Sequence, residues 1–125
     1  MCLILFANNS HPDYKLIVAA NRDEFYKRKT AKADFWDDHQ EVLAGRDLQA
    51  GGTWMGVNKN GLLSMLTNFR DLRNIKTDAP SRGHLVSDFL IEQPQPVLYL
   101  NKIEEKGQLF NGFNIICGTA DELYY

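Results

Sequence analysis

The order of patterns along these 125 residues predicts an α+β fold, with strands first and helices afterwards. Three observations carry that expectation. Two short apolar runs near the start are separated by His11-Pro12-Asp13, a turn-forming triplet. An Asn60-Gly61 pair, the best local hairpin signal in the chain, sits between two further apolar runs. Beyond Ser81 the apolar residues recur every three or four positions, the spacing of one helix face, instead of alternating.

Taken in order, residues 2–7 form a first strand and residues 15–20 a second, paired antiparallel. In that arrangement Cys2, at the start of one strand, and Arg22, just past the end of the other, become neighbours. Residues 26–41 carry Lys27, Arg28, Lys29, Lys32, Asp37 and Asp38 without a sustained period. They are expected to form a loop holding one turn of helix, anchored by Phe35 and Trp36. Gly51, Gly52 and Thr53 lead into a strand at 54–58, a type I′ turn at Asn60-Gly61, and a return strand at 62–68. Residues 71–80 read as a polar loop.

Ser81 has the character of a helix N-cap before Leu85, Val86, Phe89 and Leu90. Pro96 opens a second helix through Val97, Leu98, Leu100 and Ile103, ending near Gly107. Asn111-Gly112 turns into a strand at 113–117. Residues 118–125 finish on Leu123, Tyr124 and Tyr125 like a strand just entered, which gives the expectation of a domain cut short.

Composition narrows the function. With 44% hydrophobic and 11% aromatic residues, a chain of this length suits one folded domain burying roughly two-thirds of its unfolded surface. Fourteen basic against sixteen acidic residues leave a net charge of −2, and no basic stripe is interleaved with aromatics, so nucleic acid is not an expected partner. No apolar run approaches the roughly 20 residues of a membrane span. Residues 1–7 lack the basic start of a secretory signal and are soon interrupted by Asn8, Asn9, Ser10 and His11.

Cys2 and Cys117 supply neither a disulfide framework nor metal-type spacing, and His11, His39 and His84 are scattered. The expectations are therefore no metal, no cofactor and a reducing, cytoplasmic setting. Gly51-Gly52 lacks the spacing of a phosphate cradle, Arg46-Asp47 before it reads as a loop staple, and Trp54 reads as core.

Several longer stretches carry a resemblance: the opening Met-Cys, then "AANRDEF", "LAGRDLQAGGTWMGVNKNGLLSMLTNFRD", "SRGHLVSDFL" and "GFNIICG". In this order and spacing they resemble the NRDE family, also called the Transport and Golgi organisation 2 family, over nearly the whole chain. Members are usually about twice as long, which implies that residues 1–125 are the N-terminal part of a single domain whose C-terminal half is absent. That family in turn looks like a relative of the N-terminal nucleophile (Ntn) hydrolases of the choloylglycine hydrolase and penicillin V acylase type. Those enzymes have an αββα sandwich and cut linear amide C–N bonds with a cysteine exposed when the initiator methionine is removed.

The resemblance implies roles for four residues. Cys2 matches the nucleophile; an α-amino group with pKa near ~7.7 can take the thiol proton of its own residue, making nucleophile and base one residue. Arg22 is implied to support the thiolate or substrate, Asp23 to hold the α-amino group, and Asn68 to donate to the oxyanion. Asn21 and Glu24 are left to supporting positions.

Plainer readings stand beside these. Cys2 alone suits a small buried hydrophobe, Arg22-Asp23 a surface ion pair, and Asn68 a strand end. Two function classes follow. One is a cysteine amidohydrolase acting on a small-molecule amide. The other is a binding or carrier protein that keeps the pocket without turnover, its cargo hydrophobic, such as haem or lipid, linked to secretory-pathway organisation. Either class allows a homo-oligomer or packing against the missing half.

Overall fold

The computed structural model describes residues 2–69, 71 and 73–125. Met1, Arg70 and Leu72 lie outside the described residues, and with Met1 the expected exposure of the Cys2 amino group. The architecture is mixed α+β: two antiparallel sheets and two helices. Strands β1 (Leu3–Asn8) and β2 (Leu16–Asn21) form one sheet. Strands β3 (Thr30–Phe35), β4 (Val42–Asp47), β5 (Met55–Asn58), β6 (Leu62–Asn68), β7 (Phe113–Thr119) and β8 (Leu123–Tyr124) form the other, in simple sequence order.

The first hairpin has the expected pairing. Leu3 lies opposite Asn21 and Asn8 opposite Leu16, which sets Cys2 beside Arg22 at the end remote from the turn. The turn carries Asn9 at a positive φ of 51°, with its amide donating to the Lys15 carbonyl at 2.7 Å. Alternation assigns Leu5 and Ile17 to one face of the hairpin and Phe6 and Val18 to the other. All four are exposed, Leu5 to 60% and Phe6 to 48%. A two-stranded ribbon apolar on both faces is written for burial between two layers.

Residues 26–41 depart from expectation. In place of a loop with a helical turn they contain β3, whose partner β4 had drawn no strand assignment either. All six residues of β3 are exposed, and its pairing shifts between Ala31 and Asp34. This is an edge strand, and an edge needs no apolar alternation; Lys32, Asp34 and the bulge discourage further pairing. The expected anchor holds in part. Trp36 is buried with Nε1 donating to the Ala44 carbonyl at 3.1 Å, while Phe35 is exposed beneath the Lys59 ammonium.

The β5–β6 connection also differs in kind. A type I′ turn needs positive φ at both central residues; here Gly61 has φ 83° and Asn60 does not share the sign. The Gly61 amide donates to the Asn58 carbonyl, and Asn58 Oδ1 accepts from the amides of Asn60 and Leu62 at 3.0 and 2.9 Å. Lys59, Asn60 and Gly61 thus make a longer loop closed by an Asx turn. Asn58 also donates from Nδ2 to the Leu90 carbonyl, and Asn60 Nδ2 meets Gln93 Oε1, so this turn caps the end of the first helix.

That helix, α1 (Gly83–Glu92), lays Leu85, Val86, Phe89 and Leu90 on the sheet. The N-cap position is Arg82, with no side-chain capping bond, so Ser81 does not act as the cap; its carbonyl instead accepts from the His84 amide. Helix α2 (Pro96–Lys106) begins with proline at its first turn, where the missing N–H is no loss, and a 3-10 turn follows at Gly107–Leu109. Tyr99 from α2 stacks obliquely on Phe89 at 5.3 Å and donates its hydroxyl to the Leu85 carbonyl at 2.8 Å.

The core lies between these helices and one face of the larger sheet, built from Trp36, Val42, Leu66, Phe89, Leu90 and Cys117 among others. Burying each such large side chain contributes roughly 2 kcal/mol. Cys117 is fully buried, and burial pushes its thiol pKa up to about 11. The opposite face is covered unevenly: Met65 is buried, whereas Val57 and Phe35 on the same face are exposed. Strand β8 pairs with β7 at an open sheet edge, Tyr124 opposite Cys117. Among the described residues no helix is long and apolar enough to cross a membrane.

Candidate functional site

Where the remote end of the first hairpin meets the larger sheet, a cleft of about 500 Å³ opens. Cys2, Arg22, Asp23 and Asn68 all line it, so the four residues singled out from sequence, separated by up to 66 positions, border one cleft. Cys2 is half-buried. Its Sγ lies 3.4 Å from the Asp23 amide nitrogen and 3.8 Å from the Asp23 carbonyl oxygen. These contacts come from backbone, placed there by the strand register that sets Leu3 against Asn21.

Arg22 does not pair with Asp23. Its Nη2 lies 3.5 Å from Glu24 Oε2, and Glu24 also stands 3.9 Å from Arg28. Arg28 in turn donates from Nε and Nη2 to Asp47 Oδ2 at 2.9 and 2.5 Å. A relay of alternating charge therefore joins the hairpin end to β4. Burial opposes the charge on Asp47, but the Arg28 hydrogen bonds and the amides of Gln49 and Ala50 outweigh it and hold its pKa below the usual carboxylate value. Asn68 closes β6 opposite Phe113, and its side chain is exposed to the cleft with no hydrogen bond among the described residues.

The rest of the wall was not legible as a site. Arg28, Asp47 and Arg82 line it, as does Trp54, half-buried here and absent from the core that its sequence had suggested. The two glycine words explain the geometry. At Gly52 an added Cβ would sit 2.6 Å from the Gly83 carbonyl carbon, and the Thr53 amide donates to the Gly83 oxygen at 3.2 Å. Backbone meets backbone here. The contact presses the loop before β5 against the start of α1, fixing Arg82 at the rim. Arg46 is a staple as expected: it chelates Asp38 at 2.6 and 2.7 Å, donates to the Gly51 carbonyl and stacks 4.2 Å over Trp36.

The cleft is predominantly polar and charged, bringing Arg22, Arg28, Arg46 and Arg82 together with Asp23, Glu24 and Asp47. Among the described residues no cluster of three or more His, Cys, Asp and Glu has metal-binding geometry. The arrangement suits a polar ligand and chemistry at sulfur.

Comparison with known proteins agrees over the full length. A family model described as Transport and Golgi organisation 2 matches residues 1–125. The chain is 46% identical over 123 residues to the mouse Transport and Golgi organization 2 homolog, covering 93% of this chain and 44% of that protein. It is 42% identical to the human homolog over the same number of residues, again 93% and 44%. The Drosophila Transport and Golgi organization protein 2 is 35% identical over 140 residues, covering 98% of this chain and 48% of its own. The chain thus spans about half the length of these relatives. On a family-model match over residues 1–125 and identities above 40% to curated relatives, this chain belongs to the Transport and Golgi organisation 2 family.

Proposed function

We propose that the chain carries the nucleophile half of a cysteine amidohydrolase of the Ntn kind, acting on a linear amide C–N bond. The observation that supports this best is the position of Cys2 Sγ, 3.4 Å from the Asp23 amide in a polar cleft that Arg22 and Asn68 also line.

The chemistry begins once Met1 is removed. The freed α-amino group takes the thiol proton, and the thiolate adds to the amide carbonyl carbon, forming a C–S bond. The oxygen gains the negative charge, and Asn68 donates a hydrogen bond to it. The C–N bond breaks as the α-ammonium returns its proton to the leaving amine, giving a thioester. Water then cleaves the thioester, so that one water is consumed and a carboxylic acid and an amine leave. Arg22 supports the thiolate or the substrate, and Asp23 holds the α-amino group.

The carrier reading draws on the relatives' names, which speak of transport and Golgi organisation. A wall rich in guanidinium and carboxylate groups suits a polar amide better than haem or lipid.

The test is mass spectrometry of the N-terminus of the natural protein, followed by an amide library and a Cys2→Ala variant. Removal of Met1 and turnover lost in the variant are expected. A retained methionine ends the hydrolase reading.

A further inference from the structure

Among the described residues, three of the four arginines lining the cleft have a carboxylate within ion-pair distance. Arg28 is held by Asp47, Arg46 by Asp38 and Arg22 by Glu24. For Arg82, no carboxylate among the described residues stands within ion-pair distance. Its guanidinium donates from Nη1 to the Gly112 carbonyl at 2.9 Å. The donors on Nε and Nη2 have no protein acceptor among the described residues, although a guanidinium offers five N–H groups in a fixed fork.

Arg82 is half-buried, and burial lowers its pKa; Glu24, Arg28 and Cys2 stand within electrostatic reach. Removing such a group partly from water without a counter-ion is unfavourable unless something else supplies the anion. Nor is the side chain loosely placed. The close contact of Gly52 with Gly83 fixes the backbone at Arg82, and the Gly112 carbonyl fixes the guanidinium.

We infer that Arg82 is the recognition residue of a carboxylate subsite in this cleft, so that the ligand approaching Cys2 carries a carboxylate that accepts from the open side of the guanidinium fork. A planar carboxylate matches that fork with two parallel hydrogen bonds. That the same ligand is also an amide rests on the proposed hydrolase activity; the subsite itself does not.

Alkylation of Cys2 tests this without turnover. Iodoacetate and iodoacetamide deliver nearly the same group to sulfur with loss of iodide, one reagent anionic and one neutral. Rates at Cys2 are read by peptide mass spectrometry, with N-acetylcysteine as the free reference thiol. Buried Cys117 serves as the internal control, since it labels rapidly only if the chain unfolds.

The iodoacetate-to-iodoacetamide rate ratio at Cys2 is expected several-fold above that of N-acetylcysteine, falling as sodium chloride is raised. Arg82→Gln should bring the ratio down to the reference, since any effect of the lost cation on the nearby thiolate is shared equally by both reagents and drops out of the ratio. A role confined to activating the thiolate would instead slow both reagents together and overturn the proposal. So would a wild-type ratio equal to the reference. If Arg82→Gln unfolds the chain, as Cys117 labelling would reveal, Arg82→Lys and the salt series decide. An anion preference kept in part by lysine and erased by salt supports the subsite; a preference indifferent to both overturns it. Absence of amide turnover leaves the ratio untouched, whereas turnover with an unselective ratio removes the subsite alone.

Discussion

Arg28 grips Asp47 with two donors on a single oxygen, Oδ2, and the same guanidinium reaches back to Glu24 at 3.9 Å. The pair is therefore a joint: it fastens the segment after the first hairpin to β4, on the rim of the cleft that holds Cys2.

Asp47→Asn is expected to lower stability by about 2 kcal/mol at pH 7, because a partly buried guanidinium loses its charged acceptor. The folded-state pKa of Asp47 is depressed, so its stabilisation is fully present above the unfolded value near 3.8 and is lost as pH falls through the lower folded value. Urea midpoints for wild type and variant should differ at neutral pH and converge in acid. A constant gap across that range would show that the ion pair is not the cause.

Gly52→Ala should destabilise by about 1–3 kcal/mol, since the new methyl group would meet the Gly83 backbone at 2.6–2.7 Å and neither segment can give way cheaply. At Gly51, where φ is 82° and the space is open, alanine should cost about 1 kcal/mol through backbone conformation alone. Thermal melts of the two variants rank the effects. The reverse order would mean that this loop does not press on α1.

Under the proposed hydrolase activity, Asn68→Ala in the full-length protein should lower kcat by about 100-fold or more, the effect expected of an oxyanion donor. Its exposed side chain predicts stability within about 0.5 kcal/mol of wild type. Unchanged turnover would return Asn68 to the role of a strand end.

The exposed faces of the first hairpin give a fourth expectation. The present chain should bind a hydrophobic dye, and Leu5→Lys with Val18→Lys should reduce that binding. In a chain of the relatives' full length, Leu5→Lys should instead destabilise by about 2 kcal/mol or more, because the face would then be covered. Equal dye binding by the short and long chains would rule out packing of the second half on this hairpin.

The two hairpins and both helices were readable because their signals are local: punctuated apolar runs, an Asn-Gly pair, Pro96 at a helix start. Strand β3 was not, since an edge strand packs against little and Thr30 to Phe35 need not alternate. The turn type at Asn60-Gly61 failed for a different reason, the side chain of Asn58 capturing two backbone amides and lengthening the loop. Cys2, Arg22, Asp23 and Asn68 were singled out through family resemblance, and the structure gathers them in one cleft. Arg82 lies inside the quoted stretch "SRGHLVSDFL", yet no role was drawn for it there. The subsite proposed for it rests on ion pairing around the cleft, which only the three-dimensional structure displays.

The first hairpin is fastened at its two ends by polar contacts: Asn8 Nδ2 to the Ala120 carbonyl at 2.9 Å and Lys15 to Asp121 at one, the Glu24–Arg28 relay at the other. Its apolar middle is mostly in water. Such a ribbon can lift away while the six-stranded sheet and its helices stay intact, a partial opening well below the free energy of global unfolding. Cys2 would leave with it. On heating, this chain should therefore lose Cys2 from the cleft before circular dichroism registers melting of the six-stranded sheet, the hairpin's polar end contacts setting the temperature at which the cleft comes apart.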